Sequence, residues 1–180
     1  MAWTAPMTAV AGSVFTAAAF NTHIRDNLAE TAPAKAARPG SHFVTEATNQ
    51  IAERLPVEAF TATSDSTAAT TYGNLAASTG PTVTAATGIH AFVIVTADLA
   101  CDTNGQSARA AFTVSGATTL EASDQRAIRH IREAVTNNGQ FSGVFLVPLT
   151  PGLNTFTLVY RTSGPSTSTF ANRRIGVLPF

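Results

Sequence analysis

The spacing of apolar and polar residues changes character along this chain. Between Thr16 and Glu30 the apolar residues Ala17, Phe20, Ile24 and Leu28 recur at three and four residues, while Asn21, Arg25, Asp26 and Glu30 fall on the other side. This is the stripe of an amphipathic helix over about residues 16–30, with Thr16 as its N-cap. Before it, Trp3, Pro6, Met7, Val10, Val14 and Phe15 follow no period and predict an extended or irregular arm. After it, Pro33, Pro39 and Gly40 mark a connector over residues 31–41. Phe43-Val44 and residues 51–55 then flank the turn-forming Thr48-Asn49-Gln50 and predict a small hairpin, ended by Pro56. One helix and one hairpin bury too little to offset the entropy of ordering them, so the helical stripe requires a cover from elsewhere.

From Val57 onward the period is two. Strands are predicted at residues 60–63, 70–75, 82–86, 91–99, 108–115 and 141–147, followed by two in the C-terminal stretch. In the first of these two, Phe156, Leu158 and Tyr160 alternate with Thr157, Val159 and Arg161. Gly164-Pro165 breaks the run, and residues 170–178 resume it with Arg173 and Arg174 in the middle. Apolar residues up to the last position imply that the end is tied into a sheet. The fold class predicted is mainly β, an eight-stranded jelly-roll sandwich with an N-terminal arm containing one short helix and a small hairpin. The divisions expected are an anchoring arm at 1–40, a hairpin linker at 41–56 and a head at 57–180. Phe92 and Ile94 oppose Val93 and Val95, and residues 144–147 are apolar throughout, so these strands need cover on both faces, which a neighbouring subunit would supply. Residues 123–135 fit two patterns: a helix with Ile128, Ile131 and Val135 on its stripe and Ser123 or Asp124 as cap, or a strand with a polar edge.

Charge narrows the function classes. Eleven basic and eleven acidic residues cancel, which argues against nucleic acid and anionic membranes as partners. Only 12% of residues are charged, so Thr, Ser and Asn must carry solubility. No acidic residue follows Glu133, whereas Arg161, Arg173 and Arg174 do. Cys101 is the single cysteine, so no internal disulfide or cysteine-pair zinc site is expected. With no basic secretory start and no apolar run of about 20 residues, synthesis and assembly in the cytoplasm are expected.

Candidate chemistry is sparse. The sequence lacks the nucleophile-elbow, zincin, P-loop and dinucleotide-binding motifs, and no catalytic residue, metal site or cofactor is assigned. His23, His42, His90 and His130 lie on four separate elements. Arg126, Arg129 and Arg132 with His130 form a basic cluster: either an anion clamp, or the favoured solvated face paired with Asp124 and Glu133. Asp98 and Asp102 bracket Cys101 but fall short of the six to eight oxygens calcium takes. Tyr72 and Tyr160 offer little platform for sugar, and Trp3 is better suited to anchoring against a protein. An inward Arg173 or Arg174 would need a carboxylate or several carbonyls, which points to a buried structural or inter-subunit pair.

Residues 3–28, W-T-A-P-M-T-A-V-A-G-S-V-F-T-A-A-A-F-N-T-H-I-R-D-N-L, resemble an N-terminal motif of structural proteins of tailed bacteriophages, particularly those of actinobacterial hosts. Residues 42–56, H-F-V-T-E-A-T-N-Q-I-A-E-R-L-P, resemble the short hairpin linkers of phage fibre proteins. S-G-A-T-T at 115–119, N-T-F-T-L-V-Y-R-T-S-G at 154–164 and T-F-A-N-R-R-I-G-V-L-P-F at the end are similar to the trimeric tumour-necrosis-factor-like jelly rolls of such virions. The resemblance implies a non-enzymatic homotrimer in the virion, attached to capsid or tail proteins through Trp3, Phe20, Ile24 and Leu28. It implies that Phe156, Leu158, Tyr160, Phe170, Arg173 and Arg174 serve the trimer interface or the core. Capsid decoration is the expected role; the alternative is a minor tail or fibre protein whose head binds a host-surface glycan.

Overall fold

A computed structural model of the chain describes residues 4, 5, 7, 8, 10–133 and 138–180. Two units divide it, one reaching to Leu55 and including Phe180, the other spanning Pro56–Pro179. The larger unit holds β3 (Val57–Thr61), β4 (Asp65–Thr67), β5 (Thr82–Thr87), β6 (His90–Cys101), β7 (Ser107–Gly116), β8 (Ala127–Ile131), β9 (Gly139–Pro148), β10 (Gly152–Thr162) and β11 (Ser168–Pro179). Their antiparallel pairings are nested: β7 with β8, β6 with β9, β5 with β10, and β3 with β11. The chain therefore runs out and returns along itself as one long hairpin. Rolling that hairpin places β10 against β7 and β11 against β6, which gives two sheets ordered β5-β10-β7-β8 and β3-β11-β6-β9. This is a jelly roll, with β4 as a short addition beside β11.

Alternation in the strands supplies the core. Ala91, Val93, Val95, Ala97 and Leu99 of β6 face Ala108, Ala110, Phe112 and Val114 of β7 and Phe156, Leu158 and Tyr160 of β10. Small and large side chains complement each other, as where Ala110 stands opposite Tyr160. The Tyr160 and Phe170 rings lie 4.8 Å apart, and Phe112 lies 5.9 Å from Phe145 and 6.5 Å from Phe156. Each large side chain removed from water contributes about 1.5–3 kcal/mol, so the interior alone fixes a rigid scaffold. Gly80 shows how closely backbone approaches β10: a Cβ there would lie 2.0 Å from the Leu158 carbonyl oxygen.

Two segments differ from their sequence pattern, and a third, residues 123–135, resolves as the strand of its two alternatives. Residues 70–75 are not a strand; an isolated bridge from Gly73 to Tyr160 and a bond from Arg161 Nη1 to the Thr70 carbonyl (3.3 Å) join this stretch to β10. Gly73 has no side chain to pack, and the Tyr72 phenol turns to Asp124 (2.8 Å) instead of continuing the alternation. Residues 123–135 begin with a single 3-10 turn at Asp124–Arg126 and continue as β8. The two isoleucines that suggested a helix face opposite ways, Ile128 buried and Ile131 exposed; Val135 lies outside the described residues. In β11, Asn172 adopts φ 47°, and a bulge between Ala171 and Arg174 turns Arg173 into the core and Arg174 outward.

The smaller unit begins with a helix in three parts: α1 (Ala17–Phe20), a π-helical turn (Asn21–Arg25) and α2 (Asp26–Ala29). The Thr16 hydroxyl oxygen accepts the Ala19 N–H at 3.1 Å as the N-cap. What reads as a connector contains a further helical turn, α3 (Ala32–Lys35), with Pro33 in its first turn, where its missing N–H costs nothing. A hairpin of β1 (His42–Ala47) and β2 (Gln50–Arg54) follows, its turn carrying Asn49 at φ 58°. Glu53 Oε1 ties α3 to the hairpin by accepting the N–H groups of Ala37 (2.9 Å) and Arg38 (2.8 Å) and the Ser41 hydroxyl (2.6 Å). These bonds, led by that from Ser41, lower its carboxyl pKa to about 2.

Candidate functional site

The outward face of the β3-β11-β6-β9 sheet is apolar where β6 meets β9. Phe92 stands opposite Leu146, and Ile94 opposite Val144. All four are exposed, at 38%, 57%, 40% and 61% respectively. On the other side of β6, Leu178 and Gly176 of β11 continue the two rows. Gly176, lacking a side chain, leaves an apolar groove of about 340 Å³ between Ile94, Val57 and Leu178. At its edge Arg174 pairs with Glu58 (2.7 Å) and lies 5.0 Å over the Phe60 ring. Cross-strand apolar pairs of this kind stabilise a sheet, and here they leave four large side chains exposed in one block.

The outward face of the β5-β10-β7-β8 sheet is polar. Thr82 pairs with Thr157 (3.2 Å) and Thr84 with Thr155 (2.8 Å) through their hydroxyls. Beyond them Asp124 gathers a network: it accepts Arg161 Nη2 on both oxygens (2.8 and 2.6 Å), the Tyr72 hydroxyl (2.8 Å) and Arg109 Nη1. The Arg161 bonds, then those of Tyr72 and Arg109, hold the Asp124 carboxyl well below the usual carboxylate range. Burial, with the bond to Asp124, pushes the Tyr72 phenol up to about 12. The Arg161 guanidinium lies 5.2 Å from the Tyr72 ring centroid, and beside the pair is a cleft of about 400 Å³ reaching Thr70, Thr113 and Glu121. The arrangement can hold polar or charged groups; it contains no nucleophile paired with a base.

The basic cluster suggested by the sequence does not converge. Arg126 Nη2 donates to the Glu121 carbonyl (2.8 Å), and Arg132 donates to Asn104 Oδ1 (3.1 Å) and the Cys101 carbonyl (2.9 Å). His130 points inward and stacks on Phe141 at 4.9 Å instead of joining a solvated face. Asp124 serves Arg109 and Arg161, which the sequence placed far away. Asp98 accepts from Asn172 Nδ2 (2.6 Å), and Asp102 from the Thr103 hydroxyl (2.7 Å) and the Thr167 N–H (2.9 Å), so both are occupied by local bonds. Among the described residues no group of three or more His, Cys, Asp or Glu side chains comes together, and no helix is long and apolar enough to cross a membrane.

Of the residues assigned to interface or core, Phe156, Leu158, Tyr160, Phe170 and Arg173 lie inside one chain's sandwich, and Arg174 lies outside it. Arg173 is wholly buried, donates from Nη2 to the Thr63 carbonyl (3.0 Å) and Ser78 Oγ (2.9 Å), and lies 5.4 Å from the Tyr160 ring centroid. Ser78 passes the interaction on by donating to Asp65 Oδ2 at 3.0 Å. Arg173 is therefore held by a carbonyl, a hydroxyl and a ring, with no direct ion pair among the described residues.

In the arm, Phe20, Ile24 and Leu28 are exposed, as are Val14 and Phe15, whose ring meets that of Phe20 edge-on at 6.1 Å. Trp3 lies outside the described residues. Sequence reasoning missed Asn27, which is buried. Its amide accepts the Thr4 N–H (2.8 Å) and donates to the Thr4 carbonyl (2.9 Å) and the His23 carbonyl (3.1 Å), while His23 Nδ1 bonds the Ala5 carbonyl (3.1 Å). One side chain thus pairs with both backbone groups of Thr4, as a neighbouring strand would, and holds the extended segment against the helix.

No family model matches the chain and no curated protein matches it. Among solved structures, the structure of infectious bursal disease virus Gx strain aligns with a TM-score of 0.43 and 13% identity over 74% of this chain and 35% of that one. The chain spans about a third of that chain's length.

Proposed function

We propose that the protein is a non-enzymatic structural component of a tailed-phage virion: a homotrimeric capsid decoration protein, attached through its N-terminal arm. The observation that carries this reading is the exposed block of Phe92, Ile94, Val144 and Leu146, aligned across two paired strands on a scaffold whose core is already complete without them. Such a surface is costly to leave in water and suited to a partner. A second copy is the partner of choice, because the rim carries both signs of charge, Arg174 and Glu58, and so is neutral toward itself. About 800 Å² per partner would make a stable contact. The exposed stripe of Phe20, Ile24 and Leu28 supplies the second surface, toward capsid proteins. No cofactor enters this function.

Light scattering of the purified full chain tests the assembly; a mass of three chains is expected, and a stable monomer at micromolar concentration refutes it. Attachment is tested by adding Phe20→Asp or Ile24→Asp protein to particles lacking it. Trimers that no longer bind are expected, since desolvating a charge costs several kcal/mol; binding equal to wild type would exclude the stripe. A second reading, a tail or fibre head that binds a host-surface glycan, rests on the polar cleft beside Tyr72. Antibody labelling of intact particles separates the two, the shell marking decoration and the tail marking a fibre.

A further inference from the structure

The strand registers bring three arginines into one row. Arg161 of β10 stands opposite Arg109 of β7, and Arg109 stands opposite Arg129 of β8. All three belong to the outward positions of the β5-β10-β7-β8 sheet. Like charges directly opposite one another on a sheet are destabilising, so the row requires counter-charge. Asp124 provides it for Arg161 and Arg109, and both of its oxygens are taken up by those two and Tyr72. Arg129 is exposed and has no hydrogen-bonding or ionic partner among the described residues. Arg109 commits Nε to Ser107 Oγ (3.0 Å) and Nη1 to Asp124, and its Nη2 has no partner among the described residues. Three guanidinium groups against one carboxylate leave the row with two uncompensated positive charges. The end of the row that lacks its counter-ion borders a cleft of about 500 Å³ lined by Arg109, Asp124, Ala127 and Arg129.

We propose that this cleft is an oxyanion site, in which Arg109 and Arg129 together hold a carboxylate or phosphate group. Two guanidinium groups side by side offer parallel N–H donors that match the oxygen spacing of such groups. Ala127, two residues before Arg129 on the same face, keeps the approach open. Arg109 is pre-oriented by Ser107 and Asp124, so little side-chain freedom is lost there on binding. The row supplies what the cluster at residues 126–132 does not, because Arg126 and Arg132 are spent on carbonyls and Asn104. The oxyanion is either free in solution or carried on a polymer. The site holds whether the chain sits on a capsid or a tail.

The test uses the full chain and inorganic phosphate, at an ionic strength held constant with sodium chloride. Phosphate is expected to raise the thermal midpoint of the wild type above that in chloride alone. Arg129→Ala should weaken the apparent phosphate affinity by at least about tenfold, as loss of a charge-assisted hydrogen bond implies. Arg129→Lys should retain part of it, and Arg174→Ala, on the opposite face, all of it. No rise in the wild type, or an equal rise in wild type and Arg129→Ala, overturns the proposal. Immobilised protein then distinguishes the sources: retention of polyphosphate or polyglutamate by wild type and not by Arg129→Ala assigns a polymer, and phosphate binding without polymer retention assigns the free ion.

Discussion

The two outward faces of the sandwich are built on the same backbone and ask for different surroundings. On β6 and β9 the outward residues include the block Phe92, Ile94, Val144 and Leu146; on β5, β10, β7 and β8 they include Thr82, Thr84, Thr155, Thr157 and the arginine row. Threonine, valine and isoleucine share a β-branched stem and a similar fitness for strands. The difference therefore costs the fold little and changes only what each face accepts. Inward positions specify the roll, whereas outward positions set the character of each face, apolar on one side and polar on the other.

The sharpest way to break this contrast is a charge on the apolar face. Leu146→Asp should convert the proposed trimer to monomers with the head still folded, because an unpaired carboxylate in a dry interface costs several kcal/mol. Thr157→Asp on the polar face should leave the mass by light scattering unchanged. A smaller effect is expected from Asp124→Asn, about 1 kcal/mol lost in urea unfolding after allowance for the exposure of this carboxylate. The sign with pH follows from its lowered folded pKa. Its stabilisation is fully present above the ordinary carboxylate value near 4 and disappears as pH falls toward the folded value, so the variant should show a flatter acid limb than wild type. The smallest change belongs to Arg129→Ala. Removing one of two opposed arginines should stabilise the head by a few tenths of a kcal/mol when no oxyanion is present, measured by the same unfolding curves.

What the sequence discloses divides along these faces too. The alternation of Phe92, Val93, Ile94 and Val95 announces a strand with two apolar sides, but only the pairing of β6 with β9 reveals that Leu146 and Val144 extend the same patch. Arg109, Arg129 and Arg161 are widely spaced along the chain and become neighbours through register alone. Nothing local announces them. Residues 123–135 fit a helix as well as a strand because Ile128 and Ile131 are three apart, a spacing that in a strand puts them on opposite faces. The run at 70–75 read as a strand because threonine and tyrosine favour strands, while the bond from Tyr72 to Asp124 reaches across 52 residues. Asn27 belongs to neither side of the helical pattern over residues 16–30. Its bonds to Thr4 lie 23 residues away, beyond any periodic pattern.

The bulge at Asn172 sets the phase of the final strand. Beyond it, Ile175 and Val177 point inward and Arg174, Gly176 and Leu178 outward. Asn172 is the one residue in excess between Ala171, opposite Asp98, and Arg174, opposite Thr96. Without it the alternation would run unbroken, with Phe170, Arg173, Ile175 and Val177 inward and Arg174 still outward. A single-codon deletion at Asn172 should therefore be tolerated, whereas one at a paired position such as Ile175 would turn every following side chain to the other face.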